Sequence, residues 1–230
     1  MPSKNLIELK KICKTYHTGK ISLTALNCIN LTIKEGEFVA IMGPSGSGKS
    51  TLMNILGFLD VPSHGSYVFE GKKVKSFDEV SLADIRNKKV GFVFQSFYLL
   101  ARMTALENVR LPLIYGDISD KEQVQKAENA LKITGLGDRM EHNPNELSGG
   151  QQQRVAISRA LVNEPKIIFA DEPTGNLDSK SGKEIMEIFK KLNRDGNTII
   201  MVTHDSKVAS YAKRIIKLKD GEIISNKLNK

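Results

Sequence analysis

The chain has 230 residues, 40% of them hydrophobic and 26% charged. That length and balance suit one folded domain with a large apolar interior and argue against disorder. The net charge is +8, concentrated in residues 1–115, where fifteen basic side chains face nine acidic ones. An excess of this sign suits an anionic partner such as nucleotide, nucleic acid or a lipid surface, without choosing among them. Uninterrupted apolar runs such as Phe38–Met42 are far short of the roughly 18 residues that a membrane-spanning helix needs. Charged Met1–Lys11 is followed by no apolar core, so no secretory signal is expected.

In chain order, Leu6–Leu9 and Ile21–Ile33 read as strands, and Glu35-Gly36 marks a turn before the buried strand Phe38–Met42. A glycine-rich turn follows, then helical character over Ser50–Leu59 and a strand at Ser66–Glu70. Cys13 and Cys28 are the only cysteines, and they are expected as two reduced thiols rather than a disulfide or metal pair. Ser76…Glu79, Thr104…Glu107, Ser119…Glu122 and Ser181…Glu184 match the capping-box pattern of helix starts. Val124, Ala127 and Leu131 share one face of the third of these helices; Ile185, Ile188, Phe189 and Leu192 share one face of the fourth. Val90–Phe94, Lys166–Ala170, Thr198–Val202 and Arg214–Lys219 read as strands. Alternating helix and strand predicts a largely parallel sheet with helices on its faces. The N-terminal strands are expected to form a smaller antiparallel layer, and the helix-rich block at about 97–162 to be a subdomain inserted between sheet strands. Lys72, Lys73, Lys75, Arg86, Lys88 and Lys89 read as a solvated basic face, with a role beside an anionic membrane as the alternative.

Three motifs carry chemistry. Gly43-Pro44-Ser45-Gly46-Ser47-Gly48-Lys49-Ser50 fits G-x-x-x-x-G-K-[ST] between a buried strand and a helix. Its glycines let successive N–H groups converge on a β-phosphate, and the helix N-terminus adds its positive dipole end. Lys49 would neutralise β- and γ-phosphate charge, and the Ser50 hydroxyl would ligate Mg²⁺. Ile167–Ala170 is an apolar strand ending in Asp171-Glu172. There Asp171 is expected to hold Mg²⁺ through water, and Glu172 to polarise the attacking water as general base. Leu147-Ser148-Gly149-Gly150-Gln151 opens a second glycine-bearing helix N-terminus suited to an anion. A second such end is redundant within one copy. It makes sense facing the nucleotide of another copy across a two-fold axis.

In these motifs, their order and their spacing, the sequence resembles the nucleotide-binding subunits of ATP-binding cassette transporters over essentially the whole chain. The resemblance implies an α/β P-loop NTPase core in a single nucleotide-binding domain spanning residues 1–230. It implies ATP and Mg²⁺ as ligands, with Thr51 beside Ser50 in the nucleotide site and Ser148, Gly149, Gly150 and Gln151 on the ATP of a second copy. Tyr16 matches the aromatic residue that stacks on adenine, and Gln95 the glutamine that touches Mg²⁺ and the attacking water. Asn176-Leu177-Asp178 matches the loop crossing the dimer interface, with Asp178 carried over, and His204 the histidine that contacts the γ-phosphate. A narrower likeness, in Gly91–Gln95, Leu99-Leu100, Thr104–Val109 and Pro173–Asp178, points to the lipoprotein-releasing and macrolide-exporter branch. The implied partners are a second copy and an integral membrane permease, at the cytoplasmic face of the membrane. The permease contact is expected near Gln95–Pro112, where Phe97, Tyr98, Leu99, Leu100 and Met103 offer an apolar surface; internal packing of the helical block is the other reading of that surface. The alternative is a cell-division-type regulatory ATPase that signals through a membrane partner without transport. A nucleic-acid ATPase of the chromosome-maintenance kind needs a long coiled coil between the glutamine loop and the signature. Only 52 positions separate Gln95 from Leu147, with no sustained heptads, so no nucleic-acid partner is expected.

Overall fold

The computed structural model describes residues 4–19, 21–74 and 78–229. Six strands form the main sheet: β3 (Phe38–Met42), β6 (Val90–Phe94), β7 (Ile167–Asp171), β8 (Thr198–Val202), β9 (Arg214–Lys219) and β10 (Glu222–Leu228), in the order β10-β9-β3-β8-β7-β6. All neighbours pair in parallel except the edge strand β10. Both faces are covered, so residues of both parities are buried. Val39, Ile41, Phe169, Ile200 and Val202 face one core; Phe38, Ala40, Ile168, Ala170, Ile199 and Met201 face the other.

The first core is closed by an antiparallel sheet of β1 (Asn5–Thr18), β2 (Ile21–Lys34), β4 (His64–Phe69) and β5 (Lys72–Lys73), together with helix α1 (Lys49–Leu56). The second is closed by α5 (Gly149–Leu161), α6 (Ser179–Arg194) and the short α7 (Ser206–Ala209). A third apolar cluster, including Ala105, Val109, Ala127, Leu131 and Val155, is built from α3 (Ala105–Arg110), α4 (Asp120–Ile133) and one side of α5. Thus α5 belongs to two cores and ties the helical block to the sheet.

Four local expectations change. Cys13 and Cys28 form a disulfide. Irregular pairing of β1 with β2 around Ile12 and Lys14 sets them across from one another, with Cα atoms 4.0 Å apart; proximity in the hairpin brings the two sulfurs together. Helix α6 starts at Ser179, not after Ser181, because the Asp178 carboxylate accepts from both Lys180 N and Ser181 N. A carboxylate reaching two amides makes stronger bonds than a serine hydroxyl. Helix α2 (Glu79–Lys89) is capped by Asp78, which accepts from Ser81 N; Ser76, like Lys75, lies outside the described residues. Arg86, Lys88 and Lys89 are not a bare basic face, since they pair with Glu79, Asp84 and Glu70. The capping boxes at Thr104 and Ser148 form in full, and Ser119 accepts from Glu122 N.

Ile200 is central in β8 and fully buried. Ile200→Ala is expected to lower stability by about 2–5 kcal/mol. Urea unfolding should show a lower midpoint at an unchanged slope.

Candidate functional site

Parallel pairing gathers the C-terminal ends of β3, β8, β7 and β6 at one edge, and the site is built there. The loop after β3 needs glycine for two different reasons. A Cβ on Gly43 would lie 2.3 Å from Leu218 O, and Gly48, the N-cap of α1, has φ 95°, in the left-handed region. Lys49 is half-buried in the loop mouth and donates to Gly43 O and Pro44 O, each at 2.8 Å. Ser50, exposed, and Thr51 follow on the first turn of α1. Ser47 is buried in the loop, its hydroxyl without a partner among the described residues.

Asp171 ends β7, in register with Phe94 of β6 and Val202 of β8. Burial pushes its carboxyl up, the neighbouring Glu172 charge adds to this, and the Lys49 ammonium pulls the other way. That last effect places Lys49 within electrostatic reach of the strand end. Glu172 has φ 44°, rare for a residue with a side chain. The turn points its carboxylate at the end of β8: Oε2 accepts from Thr203 Oγ1 at 3.0 Å, and Oε1 accepts from His204 N at 2.9 Å. His204 Nδ1 lies 2.8 Å from the same Oε1. The hydrogen bond to Glu172, and then its charge, hold the exposed imidazole above its ordinary value.

Gln95 follows β6. Its Nε2 donates to Asn176 Oδ1 at 2.9 Å, and Asn176 Nδ2 returns a bond to Gln95 O at 3.1 Å. The glutamine amide is thereby committed to the loop after β7. Gly175 leaves room for it: a Cβ there would meet Gln95 Nε2 at 2.7 Å and push the amide aside. Asp178 is the cap of α6, and its hydrogen bonds to Ser181 hold its carboxyl below the usual range. Ser148 caps α5: its hydroxyl accepts from Gln151 N, and Gln151 Oε1 accepts from Ser148 N. Gly149 and Gly150 lie against Leu177 and Ser181, whereas the phosphate-loop glycines Gly43 and Gly48 lie against Leu218 and Ala25. The structure therefore gathers Lys49, Asp171, Glu172 and His204, while Gly149 and Gly150 of the second helix start lie against Leu177 and Ser181 and not against the phosphate loop.

Tyr16 stands on β1, 38% exposed, and its hydroxyl donates to Asp60 Oδ2 at 2.7 Å. Burial, then the hydrogen bond to Asp60, pushes its phenol up, against an opposing bond to Thr51. Two residues absent from the sequence reading hold the edge of the site together. Gln153 is fully buried and donates to Pro173 O at 2.6 Å and Phe94 O at 3.3 Å. Arg159 donates to Phe97 O and Tyr98 O at 2.7 and 2.5 Å, and those two residues have φ of 44° and 50°. Burial lowers the Arg159 guanidinium. A polar residue at the i+4 or i+5 position beyond a helix cap, inside an apolar stripe, is the only signal the sequence offers for Gln153.

The His204 imidazole is expected to titrate above about 6.5, and Glu172→Gln should return it toward that value, read from pH-dependent NMR shifts of the ring. The charged pair is complete below the ordinary imidazole value, and its contribution to stability is lost as pH rises through the raised one. A midpoint that Glu172→Gln leaves in place would remove Glu172 as the cause.

Comparison with known proteins agrees with this geometry. The family model described as "ABC transporter" matches residues 26–175. The ABC transporter ATP-binding protein YknY of Bacillus subtilis (strain 168) is 53% identical over 219 residues, 95% of each chain. The macrolide export ATP-binding/permease protein MacB of Bdellovibrio bacteriovorus is 55% identical over 221 residues, 96% of this chain but 34% of that longer one. Among solved structures, the dimeric post-hydrolysis state of the ATP-binding cassette MJ0796 bound to ADP and Pi superimposes with a TM-score of 0.88 at 52% identity, covering 97% of this chain and 99% of that one. The strand-end chemistry, the two glycine-bearing helix starts and these likenesses lead to one assignment: the chain belongs to the ABC transporter family, as an ATP-binding cassette that hydrolyses ATP.

Proposed function

We propose that the chain is the energy subunit of an exporter, working as a pair of identical copies closed around two Mg·ATP. The observation that carries this reading is the position of Ser148–Gln151. Its exposed helix start rests on Leu177 and Ser181 and offers anion-binding donors away from the chain's own phosphate loop. In an antiparallel pair each ATP lies between Gly43–Thr51 of one copy and Ser148–Gln151 of the other, with Tyr16 stacked on adenine and Asp178 near the seam. MJ0796, similar along its whole length, has been solved as a dimer, which supports the pairing.

The donor set fits Mg²⁺ in the way proteins usually hold it. Among the described residues no group of three or more His, Cys, Asp or Glu forms a cage. A Ser50 hydroxyl and the Asp171 carboxylate, raised by burial, leave phosphate oxygens and water to complete the shell. Gln95 would join that shell by leaving Asn176. When bound, the ion neutralises charge on the transferring phosphoryl group.

The chain's own residues supply the rest. Lys49 moves from the loop carbonyls to β- and γ-phosphate oxygens. His204 donates to the γ-phosphate and releases Glu172, whose carboxylate then accepts the proton of the in-line water. Hydrolysis removes the bridge between the copies and lets them part.

Coupling runs to an integral membrane permease at the cytoplasmic face of the membrane. Support comes from the MacB relatives, whose names join ATP-binding and permease parts, with this chain matching about a third of their length. Tyr98 and Leu100, 64% and 48% exposed, are the accessible part of the apolar run after Gln95. A separate cleft of about 540 Å³ is lined by Leu59, Phe92 and Tyr115; an apolar cleft of this kind suits a short permease helix.

Two experiments test this reading. Glu172→Gln is expected to bind ATP, to hydrolyse it at least about a hundredfold more slowly, and to accumulate as a dimer in gel filtration with ATP. Wild-type turnover would remove Glu172 as the base. Tyr98→Ala combined with Met103→Ala is expected to weaken capture of the co-expressed permease, with circular dichroism unchanged; undiminished capture would move the contact elsewhere.

A further inference from the structure

Lys14 is a buried lysine that neither the hydrolysis chemistry nor the dimer interface uses. It is only 8% exposed, on β1 two residues before Tyr16. Its ammonium donates to Asp60 Oδ1 at 2.6 Å and to Val61 O at 2.8 Å, and it stands 4.7 Å from the centroid of the Tyr16 ring. Asp60 therefore binds three donors: Lys14 Nζ and Val61 N on Oδ1, and the Tyr16 hydroxyl on Oδ2. The Lys14 and Tyr16 bonds hold the Asp60 carboxyl below the usual range against the upward push of burial.

Two features set this cluster apart from ordinary packing. First, desolvation of a buried ion pair cancels most of its attraction, so such a pair adds little net stability and mainly fixes position. Second, Asp60 lies four residues past the end of α1, the helix that opens in the phosphate loop, and Thr51 on the first turn of α1 also reaches the Tyr16 hydroxyl. The ring is thus tied to both ends of the helix that carries Lys49. A nucleotide has a fixed reach from base to phosphate. A stacking ring is useful only if it stands at a fixed offset from the phosphate loop.

We propose that Lys14 and Asp60 are positioning residues for the nucleobase: Asp60 locks the Tyr16 hydroxyl to the phosphate-loop helix, and Lys14 seats one face of the ring, leaving the other for adenine. The proposal rests on the reading of Tyr16 as the adenine-stacking residue and extends it from the ring to the hydroxyl. A cation on one ring face and a base on the other are compatible with the quadrupole of the ring.

The experiment compares wild type with Tyr16→Ala, Tyr16→Phe, Asp60→Asn and Lys14→Met. Two probes are titrated by calorimetry: Mg·ATP, which has a base, and Mg·tripolyphosphate, which has none. ATPase kinetics are recorded in parallel. Asp60→Asn, Lys14→Met and Tyr16→Phe are each expected to raise KM for ATP and weaken ATP binding about tenfold, with kcat within about twofold and tripolyphosphate affinity unchanged. Tyr16→Phe removes one oxygen from a partly exposed ring, so it tests the tether without threatening the fold. If Tyr16→Ala weakens ATP while Tyr16→Phe and Asp60→Asn do not, the positioning role is wrong and the stacking role stands. If Tyr16→Ala leaves ATP binding intact, the stacking role itself is wrong. If ATP and tripolyphosphate weaken equally, Lys14 and Asp60 support the fold and not the base.

Discussion

Everything at the site depends on parallel pairing. In a parallel sheet all strands end on the same side, so β3, β8, β7 and β6 deliver four loops to one edge without any loop having to be long. In-register pairing of Phe94 with Asp171 and of Asp171 with Val202 fixes the depth at which each loop departs. Lys49, Glu172, Thr203, His204 and Gln95 then come from distant parts of the sequence yet lie within hydrogen-bond or electrostatic range of one another's elements. Shifting one strand by two residues would keep every apolar side chain buried and still displace its loop by nearly 7 Å. The sheet is therefore the ruler against which the chemistry is set.

Beside the apolar packing of α5 in two cores, a few directional bonds join the helical block to that ruler. Gln153 bridges the ends of β6 and β7 through two carbonyls, and Arg159 does the same for Phe97 and Tyr98. The Gln95–Asn176 exchange closes the third side. The Gln95–Asn176 exchange lies between two loops, so it can be rearranged without unpacking an apolar core, whereas Gln153 is fully buried and holds fast. Such joints hold the parts in alignment while leaving the cores on either side whole.

Much of the fold is legible in the sequence because the central strands are doubly buried and read as short, uninterrupted apolar runs. Phe38–Met42, Val90–Phe94 and Thr198–Val202 have the limits expected for them. β1 is legible only to Leu9. Beyond it, Lys11 takes a left-handed conformation and the pairing with β2 shifts register, so alternation is lost and a lysine is buried. β10 is missed because an edge strand exposed along most of its length carries polar residues that look like loop. At the site, Lys49, Asp171 and Glu172 stand out in the sequence because their motifs sit at strand or helix ends, and His204 through the family resemblance; the fold brings the four side chains together. Asp60, Arg159 and the pairing of Asn176 with Gln95 are not legible, because the partners lie 44 to 81 residues away in sequence, and only the folded chain brings them together.

Lys49 spends its donors on the two carbonyls of its own loop, Gly43 and Pro44. Arrival of a triphosphate is then an exchange of acceptors and not a new set of bonds. The carbonyls are neutral acceptors and phosphate oxygens anionic ones, so the charge-assisted bonds are the stronger set and the exchange runs toward the nucleotide. The loop thus keeps the ammonium in its mouth, and no free side chain has to be ordered when a phosphate enters.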